Sequence, residues 1–109
     1  MSAPATPRLV SSLAGKWALV TGSSRGIGRQ IAQGLAARHA QVILHGRTLE
    51  HLQETRQAVA AYGVTVRTVA GDLAHPEGVE SVLQQLQTGP TVDILYNNAA
   101  IMNAWKPIW

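Results

Sequence analysis

The chain has 109 residues, 46% of them hydrophobic and 14% charged, with a net charge of +3 and no cysteine. That length supports one core, burying about two thirds of the unfolded chain's surface, and no apolar run approaches the roughly 20 residues that cross a membrane. Disulfides and thiolate chemistry are therefore excluded, and a soluble, cytoplasmic protein with no membrane partner is expected.

Residues 1–12 open with Met1-Ser2-Ala3-Pro4-Ala5-Thr6-Pro7-Arg8. They lack a long apolar run behind a basic start and read as a flexible lead, with the folded domain expected over 13–109. The nine basic residues are scattered along the chain, so the basic stripe of a nucleic-acid binder is missing and no nucleic-acid partner is expected.

The first strand is expected at Trp17-Ala18-Leu19-Val20, an apolar run that leads into Thr21-Gly22-Ser23-Ser24-Arg25-Gly26-Ile27-Gly28. Gly22 permits a tight turn off that strand, while Gly26 and Gly28 allow close backbone approach and close helix packing. Ile27, Ile31 and Leu35 follow at i, i+4 and i+8 and predict a helix with one buried stripe. The N–H groups and positive end of that helix suit an anion, so the loop reads as a cradle for a dinucleotide's phosphates.

A second strand, Val42-Ile43-Leu44, ends at Gly46-Arg47-Thr48, with Thr48 placed to cap a helix whose stripe is Leu49, Leu52 and Val59. Gly63 suits the end of that helix, and a third strand is expected over Val64 to Val69, followed by Gly71-Asp72-Leu73. Pro76, Glu77 and Glu80 suit a first helical turn, Val79, Val82, Leu83 and Leu86 its buried stripe, and Gly89 its end. The fourth strand, Val92-Asp93-Ile94-Leu95-Tyr96, leads into Asn97-Asn98-Ala99-Ala100. Right-handed crossovers then give an α/β fold, a doubly wound, Rossmann-like parallel sheet of four strands in order 3-2-1-4 with three helices.

An acid at the end of the second strand would bind the two ribose hydroxyls of NAD, but this chain offers Arg47 there, and Arg25 beside the glycines. Arg47 can pair with the extra 2′-phosphate of NADP and Arg25 can stack or pair from the other side, so NADP is the expected cofactor, with NAD the alternative. Gly22-Ser23-Ser24-Arg25-Gly26 also spells G-x-S-x-G, the nucleophile elbow of hydrolases. After Ser24, however, Asp72 and His75 are too close in sequence to come from separate loops, and no His follows Asp93, so no triad is expected. His39, His45, His51 and His75 show no metal-ligand spacing.

The T-G-x-x-x-G-x-G spacing at Thr21 to Gly28, Gly71-Asp72-Leu73 and Asn97-Asn98-Ala99-Ala100, in that order, together resemble the short-chain dehydrogenase/reductase family, in its N-terminal cofactor-binding part. The likeness runs from Leu13 to Ala100. It implies that Gly22, Ser23, Ser24, Arg25, Gly26, Ile27 and Gly28 cradle the cofactor and that Asp72 receives the adenine amino group beside the Leu73 N–H. It also implies that Asn98, Ala99 and Ala100 line the ribose, although Ala100 stands where the family has glycine.

The implied reaction is reversible hydride transfer between NADP(H) and a small carbonyl or alcohol substrate, through a Tyr-x-x-x-Lys pair whose lysine steadies the phenolate. Tyr62 is followed four places on by Val66, and Tyr96 by Ala100, so this chain has no such pair and no catalytic residue is assigned. A truncated, inactive piece of an enzyme is expected, or alternatively a free-standing NADP-binding or regulatory module. Homo-oligomerisation is expected of a full-length form and self-association of the piece. Trp105 and Trp109 are left without a role.

Overall fold

The computed structural model describes residues 12–98; the lead up to residue 11, Ala99, Ala100, Trp105 and Trp109 lie outside the described residues. Strand β1 (Trp17–Val20) is followed by helix α1 (Gly26–Ala37) and strand β2 (Gln41–Gly46). A short 3-10 turn (Glu50–Leu52) leads into helix α2 (Gln53–Ala60), and strand β3 (Val66–Ala70), helix α3 (Pro76–Gln87) and strand β4 (Ile94–Tyr96) complete the order. The four strands form one parallel sheet in the order β3-β2-β1-β4, as the sequence predicts.

Successive residues of a strand face opposite ways, so the continuous apolar runs of β1 and β2 supply two cores at once. Val20, Val42 and Leu44 pack with Ala32 and Ala36 of α1 and with Leu52 and Val59 on one face. Leu19 and Ile43 pack with Val69 and Val82 on the other, under α3. Each fully buried Val, Leu or Ile contributes about 1.5–3 kcal/mol relative to exposure.

The predicted stripes need correction. On α1 the residues nearest the sheet are Gly28, Ala32 and Ala36, while Ile31 and Leu35 pack at the flank and Ile27 is 62% exposed. The helix lies so close to the sheet that large side chains do not fit beneath it. In the second helical segment the inward positions are Leu52 of the 3-10 turn and Thr55 and Val59 of α2, and Leu49, just before the turn, is exposed. On α3 the inward side chain is Val82, flanked by Leu86, and Leu83 is 50% exposed.

Strand limits also shift. β2 runs on through His45 and Gly46, because β3 offers Val69 and Ala70 as ladder partners. Asp93 falls before β4 and instead caps β1, its carboxylate accepting the Trp17 N–H at 2.9 Å. Gln85 closes the outer edge at Ala70: its Oε1 accepts the Ala70 N–H at 3.0 Å and its Nε2 donates to the Ala70 carbonyl at 2.8 Å. A side-chain amide thus stands in for the missing neighbouring strand.

Helix α1 ends in a two-bond motif, with the His39 N–H on the Ala36 carbonyl and the Ala40 N–H on the Leu35 carbonyl. This turn requires a left-handed residue, and His39 adopts φ 76° there although glycine is the usual occupant. His39 is exposed, so little is lost with its side chain. His39→Gly should therefore stabilise the fold by about 0.5–1 kcal/mol. Thermal unfolding checks this, and an unchanged or lower midpoint would refute it.

Candidate nucleotide site

The carboxyl ends of all four strands open onto one cavity of about 1080 Å³. Strand order reverses between β1 and β4, and a parallel sheet leaves a crevice at such a point, because the following helices cross to opposite faces. Gly22, Ser24, Arg25 and Gly26 line the cavity from the turn after β1; His45, Gly46 and Arg47 line it from β2. Asp72, Leu73 and Ala74 enter from the end of β3, and Asn98 from the end of β4.

The glycine turn is built by close contact. Gly22 and Gly26 both have φ 64°, a conformation that side chains disfavour. A Cβ on Gly28 would run into the Gly22 carbonyl oxygen and come within 2.7 Å of Asn98 Nδ2, so the first turn of α1 can lie against the loop only without a side chain there. Arg25 occupies the cap position of α1 with no side-chain hydrogen bond, which leaves the first N–H groups of the helix to a ligand.

The loop is held from three directions. Asn98 Nδ2 donates to the Gly22 carbonyl at 3.1 Å, and the Asn98 N–H donates to the Thr21 hydroxyl at 2.9 Å. Thr21 in turn donates to Asn97 Oδ1 at 3.0 Å. From α2, the buried Thr55 hydroxyl donates to the Ser24 carbonyl at 3.1 Å. Beneath the loop, the Ser23 N–H and hydroxyl both donate to the His45 carbonyl, and the Ser23 hydroxyl accepts the His45 N–H.

The residues of the predicted cradle therefore separate by position. Ser24, Arg25, Gly22 and Gly26 face the cavity, Ser23 is fully buried as its floor, Gly28 is buried against Gly22, and Ile27 is exposed. Arg47 lines the cavity, and neither it nor Arg25 is drawn into an ion pair among the described residues. Glu54, which shares the cavity wall, is paired instead with Arg29 at 3.4 Å.

Asp72 makes an Asx turn, its Oδ1 accepting the Ala74 N–H at 2.9 Å, and Oδ2 lies 3.7 Å from His75 Nε2. Gly78 makes this turn possible: a Cβ there would collide with the Asp72 backbone, and one on Gly71 would meet the Gly78 carbonyl oxygen at 2.6 Å. His75 is thus occupied beside Asp72 and far in role from Ser24, whose hydroxyl receives no histidine bond among the described residues. The contributions of His45, Thr55 and Gly78 escaped the sequence reading. Of these only Gly78, four residues before the apolar Val82 on one helical stripe, left a trace in the spacing.

The family model described as short chain dehydrogenase matches residues 16–108. The chain belongs to that family. This short-chain dehydrogenase chain is 41% identical over 92 residues to gluconate 5-dehydrogenase of Gluconobacter oxydans (strain 621H), covering 83% of itself and 36% of that protein. It superposes with a TM-score of 0.76 on L-sorbose reductase of Gluconobacter frateurii, complexed with NADPH and L-sorbose, at 40% identity over 84% of this chain and 35% of that one. A 3-oxoacyl (acyl-carrier-protein) reductase of Agrobacterium tumefaciens C58 with NADP bound gives a TM-score of 0.76 at 39% identity, over 91% of this chain and 40% of that one. The short-chain dehydrogenase chain thus spans about a third of the length of the curated relatives it matches. Among its described residues no helix is long and apolar enough to cross a membrane.

Proposed function

We propose that this chain is the NADP(H)-binding part of an oxidoreductase that moves hydride between the nicotinamide and a small carbonyl or alcohol. The observation that carries the reading is the pair of guanidiniums, Arg25 from the glycine loop and Arg47 from the end of β2, that line one cavity and enter no ion pair among the described residues. A 2′-phosphate suits such a fork, and a ribose diol without phosphate would leave both charges unmatched. Relatives solved with NADP or NADPH support it.

On this reading the uncapped N–H groups of α1 bind the pyrophosphate. Asp72 Oδ2, left over from the Asx turn, faces the adenine amino group, and Leu73 flanks the ring. Asn98 orients the ribose while steadying the Gly22 carbonyl. When bound, the nicotinamide supplies or accepts the hydride. Ala99 and Ala100 are proposed to continue the ribose wall.

The test is a fluorescence titration of the 109-residue chain with NADPH and NADH. NADPH should bind more tightly, and equal affinities would sink the cofactor assignment. NADPH should also remain unoxidised with any carbonyl, because an acid/base group alone is worth about 10²–10⁴ in rate and neither tyrosine has its lysine. Measurable turnover would show that the proton donor lies elsewhere in this chain.

A further inference from the structure

The imidazole of His45 is nearly fully buried, yet it belongs to neither core cluster. Its Nδ1 accepts the Gly22 N–H at 3.0 Å, which leaves the ring proton on Nε2, and Nε2 lies 2.9 Å from the Gly71 carbonyl oxygen. One side chain on the central strand β2 thereby joins the turn after β1 to the turn after β3. Those turns lie on either side of β2 in the sheet order, and both line the cavity: Gly22 begins the glycine loop, and Gly71 precedes the lining residues Asp72 and Leu73.

We propose that His45 is the positioning residue of the nucleotide site, holding the phosphate-side and adenine-side turns at a fixed separation in its Nε2–H form. The inference rests on the NADP(H) reading above. A side chain that merely filled space would need no polar atoms. Here each ring nitrogen of a nearly fully buried imidazole meets a backbone group of a different turn, so neither nitrogen is left without a partner, which burial would make costly. The Ser23 hydroxyl, exchanging bonds with the His45 backbone on both sides, locks the strand segment that carries the ring.

Two conservative variants divide the function. In His45→Asn the side-chain oxygen falls where Nδ1 was, keeping the acceptor for Gly22 but losing reach to Gly71. In His45→Gln the terminal amide falls where Nε2 was, keeping the donor to Gly71 but losing the Gly22 acceptor. The experiment measures NADPH affinity by fluorescence for the unmodified 109-residue chain, for both variants and for His45→Ala, with ¹⁵N spectra of each. His45→Ala should weaken NADPH about tenfold or more, the usual net worth of a lost hydrogen bond or slightly above.

His45→Asn should keep the Gly22 amide near its original shift and move that of Asp72, His45→Gln should do the opposite, and each should bind between the alanine variant and the unmodified chain. The imidazole nitrogens of the unmodified chain should report the Nε2–H tautomer whether or not any variant folds. The Nδ1–H tautomer, or undiminished NADPH binding by a folded His45→Ala, would overturn the proposal while leaving the cofactor reading intact. No NADPH binding by the unmodified chain would overturn both.

Discussion

Gly28→Ala should destabilise the chain by about 3 kcal/mol, lowering the unfolding midpoint by roughly 12 °C or more. The added methyl has no free space: it meets the backbone carbonyl of Gly22 and the Asn98 amide that bonds that carbonyl. Relief requires α1 to lift off the sheet, which would also loosen the packing of Ala32 and Ala36. Gly34→Ala, on the same helix, is the control. Its new methyl meets nothing nearer than Arg38 Nη1 at 4.0 Å, and alanine is the better helix former, so it should stabilise by about 0.5–1 kcal/mol. Opposite signs for one substitution on one helix, read by thermal or urea unfolding, would establish that close approach and not helix propensity governs Gly28. Matching signs would refute it.

Arg47→Asp should reverse the nucleotide preference. Loss of a charge-assisted pair with the 2′-phosphate removes about 2 kcal/mol, near thirtyfold in NADPH affinity, and the new carboxylate repels that phosphate while accepting from the ribose hydroxyls of NADH. Arg47 is exposed, so the effect should shrink as salt rises. Arg25→Ala should lower NADPH affinity without improving NADH, since nothing is added that could hold the diol. Parallel titrations with the two nucleotides measure the ratio, and a ratio unmoved by Arg47→Asp would remove this residue from the specificity determinants.

The order and type of the elements were legible because the evidence for them is local. A parallel sheet buried on both faces shows as continuous apolar runs at Trp17–Val20 and Val42-Ile43-Leu44, and the turns between declare themselves through Gly22, Thr48, Gly63 and Pro76. The glycine loop was legible for the same reason, since a positive φ at Gly22 and Gly26 is a demand of the backbone at that point. Arg25 and Arg47 could be assigned to one site because the ends of neighbouring parallel strands always meet.

Contact depth was not legible. Apolar spacing marks Ile27, Leu49 and Leu83 as inward residues, but how a helix rotates on a sheet depends on which small residues allow the approach, and α1 turns Gly28, Ala32 and Ala36 inward instead. Nor does a sequence pattern distinguish Ser23, whose hydroxyl is spent on His45, from Ser24, which faces the cavity. His45 shows the limit most clearly: its partners lie 23 and 26 positions away on separate turns, and only the parallel pairing of β2 with both neighbours brings Gly22 and Gly71 to the two nitrogens of one ring.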